Sequence, residues 1–206
     1  MNGIFSTYFI LGFEHISDLA GYDHILFLVA LCAVYTWTSW KKVAIIVTAF
    51  TIGHSLTLAL AALNVLNISA DTIEFLIPVT IFITAISNTH PAAMASNEKK
   101  GFSKPMIFKY IIALFFGLVH GLGFSNFFRQ LTMPSQENDL IPQLFSFNIG
   151  VEVGQLIIVG FILTISYLIH VLLKLNNRSW NIFISGAAAG IAFLLMIAYS
   201  PKPLIF

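Results

Sequence analysis

Ionisable side chains stand inside apolar stretches of this 206-residue chain at His54, at His120, at Glu152 and at the adjacent pair Asp23 and His24. A charged side chain in the hydrocarbon core of a bilayer is costly, so such residues are retained mainly for a function. Imidazole nitrogens and carboxylate oxygens, without a thiolate, form a donor set that suits nickel, cobalt, zinc or iron. These residues therefore predict a site for a divalent transition-metal ion.

Polar side chains beside these residues extend the candidate site. One helical face carries a stripe at i, i+4 and i+7 spacing, formed by Asn148, Glu152 and Gln155. Amide and hydroxyl groups hold metal ligands in position through hydrogen bonds. We therefore add four residues as candidate ligands or as partners that orient the ligands: His15, Ser55, Asn148 and Gln155.

The same residues also have purely structural explanations. Asp23 is a suitable N-cap for a helix that starts there. His54 and His120 are also suited to hydrogen bonds between helices. Glu152 could be a protonated packing residue. The residue types alone do not decide between metal binding and helix packing.

The elements that must position these residues are membrane-spanning helices. The chain is 58% hydrophobic and 9% charged, with a mean hydropathy of +0.89, whereas a soluble domain carries about 25% charged residues. That balance excludes a soluble enzyme. A formal net charge of +1 gives no electrostatic footprint for nucleic acid. The single cysteine excludes an internal disulfide and multi-cysteine metal sites.

Six apolar stretches qualify as transmembrane helices, which need about 20 residues each. They are 22–37, 43–63, 72–88, 106–128, 141–173 and 180–199. These runs lack the polar–apolar alternation of a membrane β-barrel. The sequence therefore predicts an all-α integral membrane protein, with one domain over residues 1–206 and a bundle of about six transmembrane helices. Residues 1–21 are expected to form a short amphipathic segment at the outer interface.

The positions of the basic residues predict how the chain is oriented in the membrane. Eight of the ten Lys and Arg residues follow the first, third and fifth spans: Lys41, Lys42, Lys99, Lys100, Lys104, Lys109, Lys174 and Arg178. By the positive-inside rule these linkers face the cytoplasm, so both termini lie outside. At 1.5 Å per residue, His54, His120 and Glu152 then lie about 12–15 Å below the outer ends of their helices. We expect them to form one site in the outer half of the bilayer.

Five motifs occur in order along the chain. They are GFEHI (12–16), GYDHILF (21–27), TAFTIGHSLTL (48–58), FGLVHGLGF (116–124) and FNIGVEVGQ (147–155). Together they resemble the HupE/UreJ family of bacterial membrane proteins. The resemblance implies a nickel or cobalt permease of the bacterial inner membrane, associated with hydrogenase and urease maturation. By this resemblance, six residues of the motifs are expected to belong to the family's functional site: Asp23, His24, His54, His120, Asn148 and Glu152.

The leading hypothesis is a permease or binding protein for a nickel, cobalt or zinc ion. The second is a metal-dependent intramembrane hydrolase, in which the same cluster activates water and Glu152 is the general base. A structural or sensory protein is the third. A transporter needs a polar lining that continues toward the cytoplasm, whereas a hydrolase needs a closed floor. The expected partners are the metal ion and the lipid bilayer, with no nucleic acid, and a second copy of the chain or a metalloenzyme maturation system.

Overall fold

The computed structural model describes residues 2–66, 68–91, 93, 104–131 and 140–200. Within these residues all regular secondary structure is helical, which confirms the predicted all-α class. The α-helices are α1 (Asn2–Ser17), α2 (Asp23–Cys32), α3 (Trp40–Ala62), α4 (Ala70–Thr89), α5 (Lys104–Leu131), α6 (Leu140–Leu173) and α7 (Asn177–Ala198). A 3-10 turn, Trp37–Ser39, leads into α3.

Five segments of the described chain are long and apolar enough to cross a membrane. They are Trp37–Ala62, Ala70–Thr89, Ile107–Ser125, Leu140–Leu173 and Asn177–Ala198. Large apolar side chains face outward from them, as Phe161 and Phe183 do with 67% and 69% of their surface exposed. Such a surface is stable only against lipid or another apolar face. The chain is a multi-pass membrane protein.

The first predicted span differs from the others. Residues 22–37 contain α2, which has ten residues and is therefore about 15 Å long. α1 precedes α2 and runs in the same direction, because Tyr8 contacts Phe128 near the end of α5, whereas Tyr35 contacts Lys109 near its start. α1 and α2 thus both run antiparallel to α5, and residues 18–22 separate the two helices. Of the segment that we expected at the outer interface, residues 2–17 form α1, and its placement at the interface stays a prediction.

Hydrogen bonds from neighbouring helices secure the end of the short helix α2. The last carbonyl groups of any helix lack partners within it. Asn88 of α4 donates its side-chain amide to the carbonyl of Ala30 over 2.7 Å. Asn181 of α7 donates in turn to the carbonyl of Asn88 over 2.7 Å. This buried network ties α2, α4 and α7 together.

Glycines set the spacing of two helix pairs. α1 packs on α6 through Gly12 and Gly150, and α3 packs on α5 through Gly53 and Gly117. At each of these glycines an added Cβ would overlap a backbone carbonyl oxygen of the facing helix. Close approach at small residues gives membrane helices their van der Waals contact. Both pairs carry candidate ligands, so the glycines also fix the distances within the site.

Basic side chains mark one end of the bundle. Lys41 and Lys42 begin α3, and Lys109 lies near the start of α5, close enough to Lys42 to interact electrostatically. We call this end, defined by Lys41, Lys42 and Lys109, the basic end. Its cytoplasmic orientation stays a prediction. Two of the basic residues on which the topology prediction drew, Lys99 and Lys100, lie outside the described residues.

We expect Gly150→Ala to lower the thermal stability of the protein in detergent, because the new Cβ overlaps the carbonyl oxygen of Phe9. Overpacking costs about 1–3 kcal/mol, which corresponds to roughly 2–12 °C in the unfolding midpoint. Gly160→Ala on the same helix is the matched control, since no atom of the described chain would lie within 4 Å of its Cβ. Equal midpoints for the two variants would contradict the proposed role of Gly150 in packing.

Candidate metal centre

The interruption between α1 and α2 brings two motifs together. His15 lies in the last turn of α1, and Asp23 and His24 lie in the first turn of α2. Between them the carboxylate of Asp18 accepts a hydrogen bond from the backbone N–H of Ala20 over 2.8 Å. Such a local bond replaces a helical one and favours a turn. The turn therefore places the end of one helix beside the start of the next.

Four histidine rings from four helices meet at this turn. The ring centroids of His15 and His24 lie 4.7 Å apart, and those of His24 and His120 lie 5.2 Å apart. His54 lies 5.8 Å from His15 and 6.2 Å from His24. Among the described residues, His15, His24 and His54 form one group whose donor atoms lie within 4.8 Å of one another, and Asp23, His24 and His120 form another. His54 and His120 are fully buried.

Each ring has a buried nitrogen without a hydrogen-bond partner in the described part of the chain. These atoms are Nε2 of His15, Nε2 of His24, both ring nitrogens of His54 and Nδ1 of His120. A buried polar atom left unpaired costs about 1–3 kcal/mol, so native proteins rarely leave several together. Their convergence fits a ligand that accepts nitrogen lone pairs. A divalent transition-metal ion is such a ligand.

In a neutral imidazole one ring nitrogen carries the proton and the other carries the lone pair. A hydrogen bond donated by one nitrogen therefore leaves the lone pair of the other nitrogen available. Nδ1 of His24 lies 3.1 Å from Oδ1 of Asp23, and an ionised carboxylate only accepts, so His24 keeps its lone pair on Nε2. Thr80 donates its hydroxyl proton to the carbonyl of Ile77 over 2.7 Å. Its oxygen therefore accepts from Nε2 of His120 over 3.0 Å, which leaves the lone pair on Nδ1. In both rings the unpartnered nitrogen is the one that can bind a metal.

Aromatic rings enclose the cluster. The ring of Phe124 lies 4.0 Å from that of His15, and the ring of Phe50 lies 5.1 Å from that of His120. Phe147 stacks against His54 at 6.4 Å. These apolar walls exclude water and lower the local dielectric, so charge interactions within the cluster are stronger than at a surface.

A cavity of about 770 Å³ borders the cluster at His15. Glu14 and Asp18 also line this cavity, and both are exposed. Carboxylates around an opening raise the local concentration of cations. The cavity therefore offers a route by which a cation can reach the histidines.

Glu152 lies apart from the four rings. Its Oε1 is 2.6 Å from the hydroxyl oxygen of Thr48, and within the described chain it belongs to neither donor group. Ser55 likewise points elsewhere, since its hydroxyl donates to the carbonyl of Thr51 over 2.6 Å.

The polar stripe on α6 faces a polar stripe on α3. Asn148 lies beside the ring of His54, and Thr51 is 2.7 Å from the side-chain oxygen of Gln155. With the contact between Thr48 and Glu152, these pairs form a seam that begins at the cluster. The predicted stripe thus lines the contact between α3 and α6.

The structure adds two details to the site that the sequence predicts. Asp23 is the first residue of α2, and Tyr22 occupies the N-cap position. Thr80, which orients His120, was missed. The available signal was the spacing of Thr80, Thr84 and Asn88, which share one face of an otherwise apolar helix.

Comparison with protein families gives one finding. The family model described as HupE / UreJ protein matches residues 1–200, so the chain belongs to the HupE/UreJ family. This family is associated with nickel or cobalt uptake or with metalloenzyme maturation. Comparisons with curated proteins and with solved structures gave no match.

We expect Thr80→Val to weaken nickel binding, because it removes the acceptor that holds the proton on Nε2 of His120. Loss of such an orienting partner typically costs about 10–100-fold in metal affinity. Thr164→Val is the matched control, since Thr164 is exposed on α6 and donates only to the carbonyl of Gly160. Calorimetric titration in detergent measures both affinities, and equal values would contradict the role assigned to Thr80.

Proposed function

We propose that this member of the HupE/UreJ family is a permease for a divalent transition-metal ion, nickel or cobalt. The ion binds where His15, His24, His54 and His120 meet, beside Asp23. The observation that carries this proposal is the presence of two donor groups that share His24, with buried ring nitrogens that lack hydrogen-bond partners in the described chain. The association of the family with nickel or cobalt uptake supports it further.

The proposed ligands are the four imidazoles, and Asp23 supplies the negative charge. Neutral imidazoles suit nickel, cobalt and zinc. The carboxylate of Asp23 accepts from both the backbone N–H and the ring of His24, over 2.9 and 3.1 Å. It therefore fixes the ring and offsets part of the charge of a bound ion.

Polar groups continue from the cluster toward the basic end. α3 begins at the basic end, so Thr51 and Thr48 lie about one and two turns nearer to it than His54. Their contacts with Gln155 and Glu152 extend the polar seam in that direction. The seam ends at Thr48, which is exposed, so these polar groups extend about two turns from the cluster on the side of the basic end, which supports transport.

The hydrolase alternative receives less support. It requires a general base beside a metal-bound water. Glu152, the expected base, lies outside both donor groups of the described chain and contacts Thr48. Hydrolysis by the loaded protein would nevertheless be visible with lipid or peptide substrates, and such activity without transport would contradict the permease.

Nickel uptake into proteoliposomes tests the proposal. We expect His54→Ala to reduce uptake to the level of protein-free vesicles, because His54 is fully buried and one of its ring nitrogens can bind the ion. His170→Ala is the control: this ring lies near the end of α6, beside the carbonyl of Ser166 and the ring of Trp180. Wild-type uptake in His54→Ala would overturn the proposal.

A further inference from the structure

A second cavity lies between α2, α4 and α5, on the side of the basic end. Its volume is about 90 Å³, and since an apolar cavity of about 150 Å³ holds benzene, it has room for a few methylene groups. Phe27 and Phe116 line its deep end, and Tyr35 and Lys109 line the end nearest to the basic end. Lys109 and Phe116 both lie on α5, and their spacing extends the lining over about 10 Å along that helix.

The walls of this cavity are mostly apolar. Leu31, Ile83 and Ala113 contribute hydrocarbon side chains to them. The hydroxyl groups of Thr84 and Ser87 also line the cavity, but they donate to carbonyl groups of their own helix over 2.9 and 2.8 Å. Burying a bare ion against such walls is costly, whereas hydrocarbon is stabilised there. The cavity therefore suits an apolar chain over most of its length.

The cavity is accessible from the lipid side between α4 and α5. Ile83 on α4 has 48% of its surface exposed. Ser87 on α4 is exposed and Ile112 on α5 is half-buried, and both also line the cavity. These residues belong to segments that are apolar and long enough to cross a membrane, so their exposed surface faces lipid. An acyl chain of the bilayer can therefore enter the cavity from the side.

Two polar groups line the end of the cavity nearest to the basic end. Tyr35 is buried, with 3% of its surface exposed, and its hydroxyl group has no hydrogen-bond partner among the described residues. A phenol buried in this way usually bonds to water or to a ligand. The ammonium group of Lys109 lies 5.3 Å from the ring centroid of Tyr35 and carries three donors and no acceptor. An anionic oxygen is the ligand that both groups can bind.

This end of the cavity lies near the level of the lipid headgroups. Trp37 and Trp40, just before and at the start of α3, are exposed, and exposed tryptophans mark the membrane–water interface. Lys42, in the first turn of α3, is close enough to Lys109 to interact electrostatically. Basic pockets between transmembrane helices attract anionic headgroups. The positive charge thus lies where a lipid phosphate is available.

We propose that this cavity binds part of one acyl chain of an anionic phospholipid from the leaflet at the basic end, with the phosphate group held by Lys109 and Tyr35. The hydrocarbon fits the apolar walls, and the phosphate supplies oxygen acceptors for the phenol and the ammonium group. Lys42 adds a second positive charge near the headgroup. At the deep end, the ring centroid of Phe27 lies 5.5 Å from that of His120, so the bound chain packs behind one wall of the histidine cluster. The inference does not depend on the metal that the cluster binds.

Native mass spectrometry of the protein in detergent tests the headgroup contacts. The probes are phosphatidylglycerol and phosphatidylcholine with the same acyl chains, and we expect the anionic lipid to be retained more strongly. Lys109→Gln should lower the affinity for phosphatidylglycerol about fivefold, the factor for one basic residue near an anionic lipid surface. Tyr35→Phe should lower it about two- to tenfold, as for one lost hydrogen bond. Arg178→Gln is the matched control, since Arg178 is an exposed basic residue that does not line the cavity.

Ile112→Trp tests the acyl chain separately. The indole ring would fill the cavity from its rim without changing the charge, so the affinity for phosphatidylglycerol should fall at least as far as in Lys109→Gln. Ile111→Trp is the matched control, because Ile111 has 60% of its surface exposed on the same helix and does not line the cavity. Equal affinities in these two tryptophan variants would contradict the placement of the chain.

Two results would overturn the inference as a whole. The first is equal retention of phosphatidylglycerol and phosphatidylcholine by the wild type, which is expected if the cavity holds only water. The second is an affinity for phosphatidylglycerol that is the same in Lys109→Gln, Tyr35→Phe and Arg178→Gln.

Discussion

Buried imidazole nitrogens that lack partners are the feature on which the rest of this structure depends. Four rings contribute such atoms to two adjoining donor groups that share His24 in the described chain, and leaving them unpaired costs free energy that a marginally stable fold cannot spare. A cation that accepts several lone pairs removes this cost at once. The bundle therefore has reason to hold the rings at fixed distances, and metal binding should also stabilise the protein.

Several local features serve that arrangement. The turn at Asp18 ends α1 and lets His15 approach His24. The glycine contacts bring α1 onto α6 and α3 onto α5 with backbone in contact. Asp23 and Thr80 then orient two of the rings through their second nitrogen.

The sequence predicts part of the fold and of the candidate metal site, and the features that it does not predict have physical reasons. The rise per residue, counted from the predicted outer ends of the spans, gives His54 and His120 a common depth, and the structure places both rings near His24. The sequence separates residues 1–21 from the span that begins at residue 22, but it does not predict that α1 packs against α6, because that packing depends on the close approach at Gly12 and Gly150. The position of Glu152 beside Thr48 depends on how α3 crosses α6, which helical periodicity alone does not specify. Thr80 gave only a weak signal, since one threonine in an apolar helix usually bonds to its own backbone.

X-ray absorption spectroscopy of the protein loaded with one equivalent of nickel identifies the atoms that bind the ion. We expect a coordination shell dominated by imidazole nitrogen, with scattering from at least three histidine rings, and loss of that signal in His24→Ala but not in His170→Ala. A shell of oxygen alone, or a spectrum that His24→Ala leaves unchanged, would contradict the assignment of the histidine cluster as the metal site.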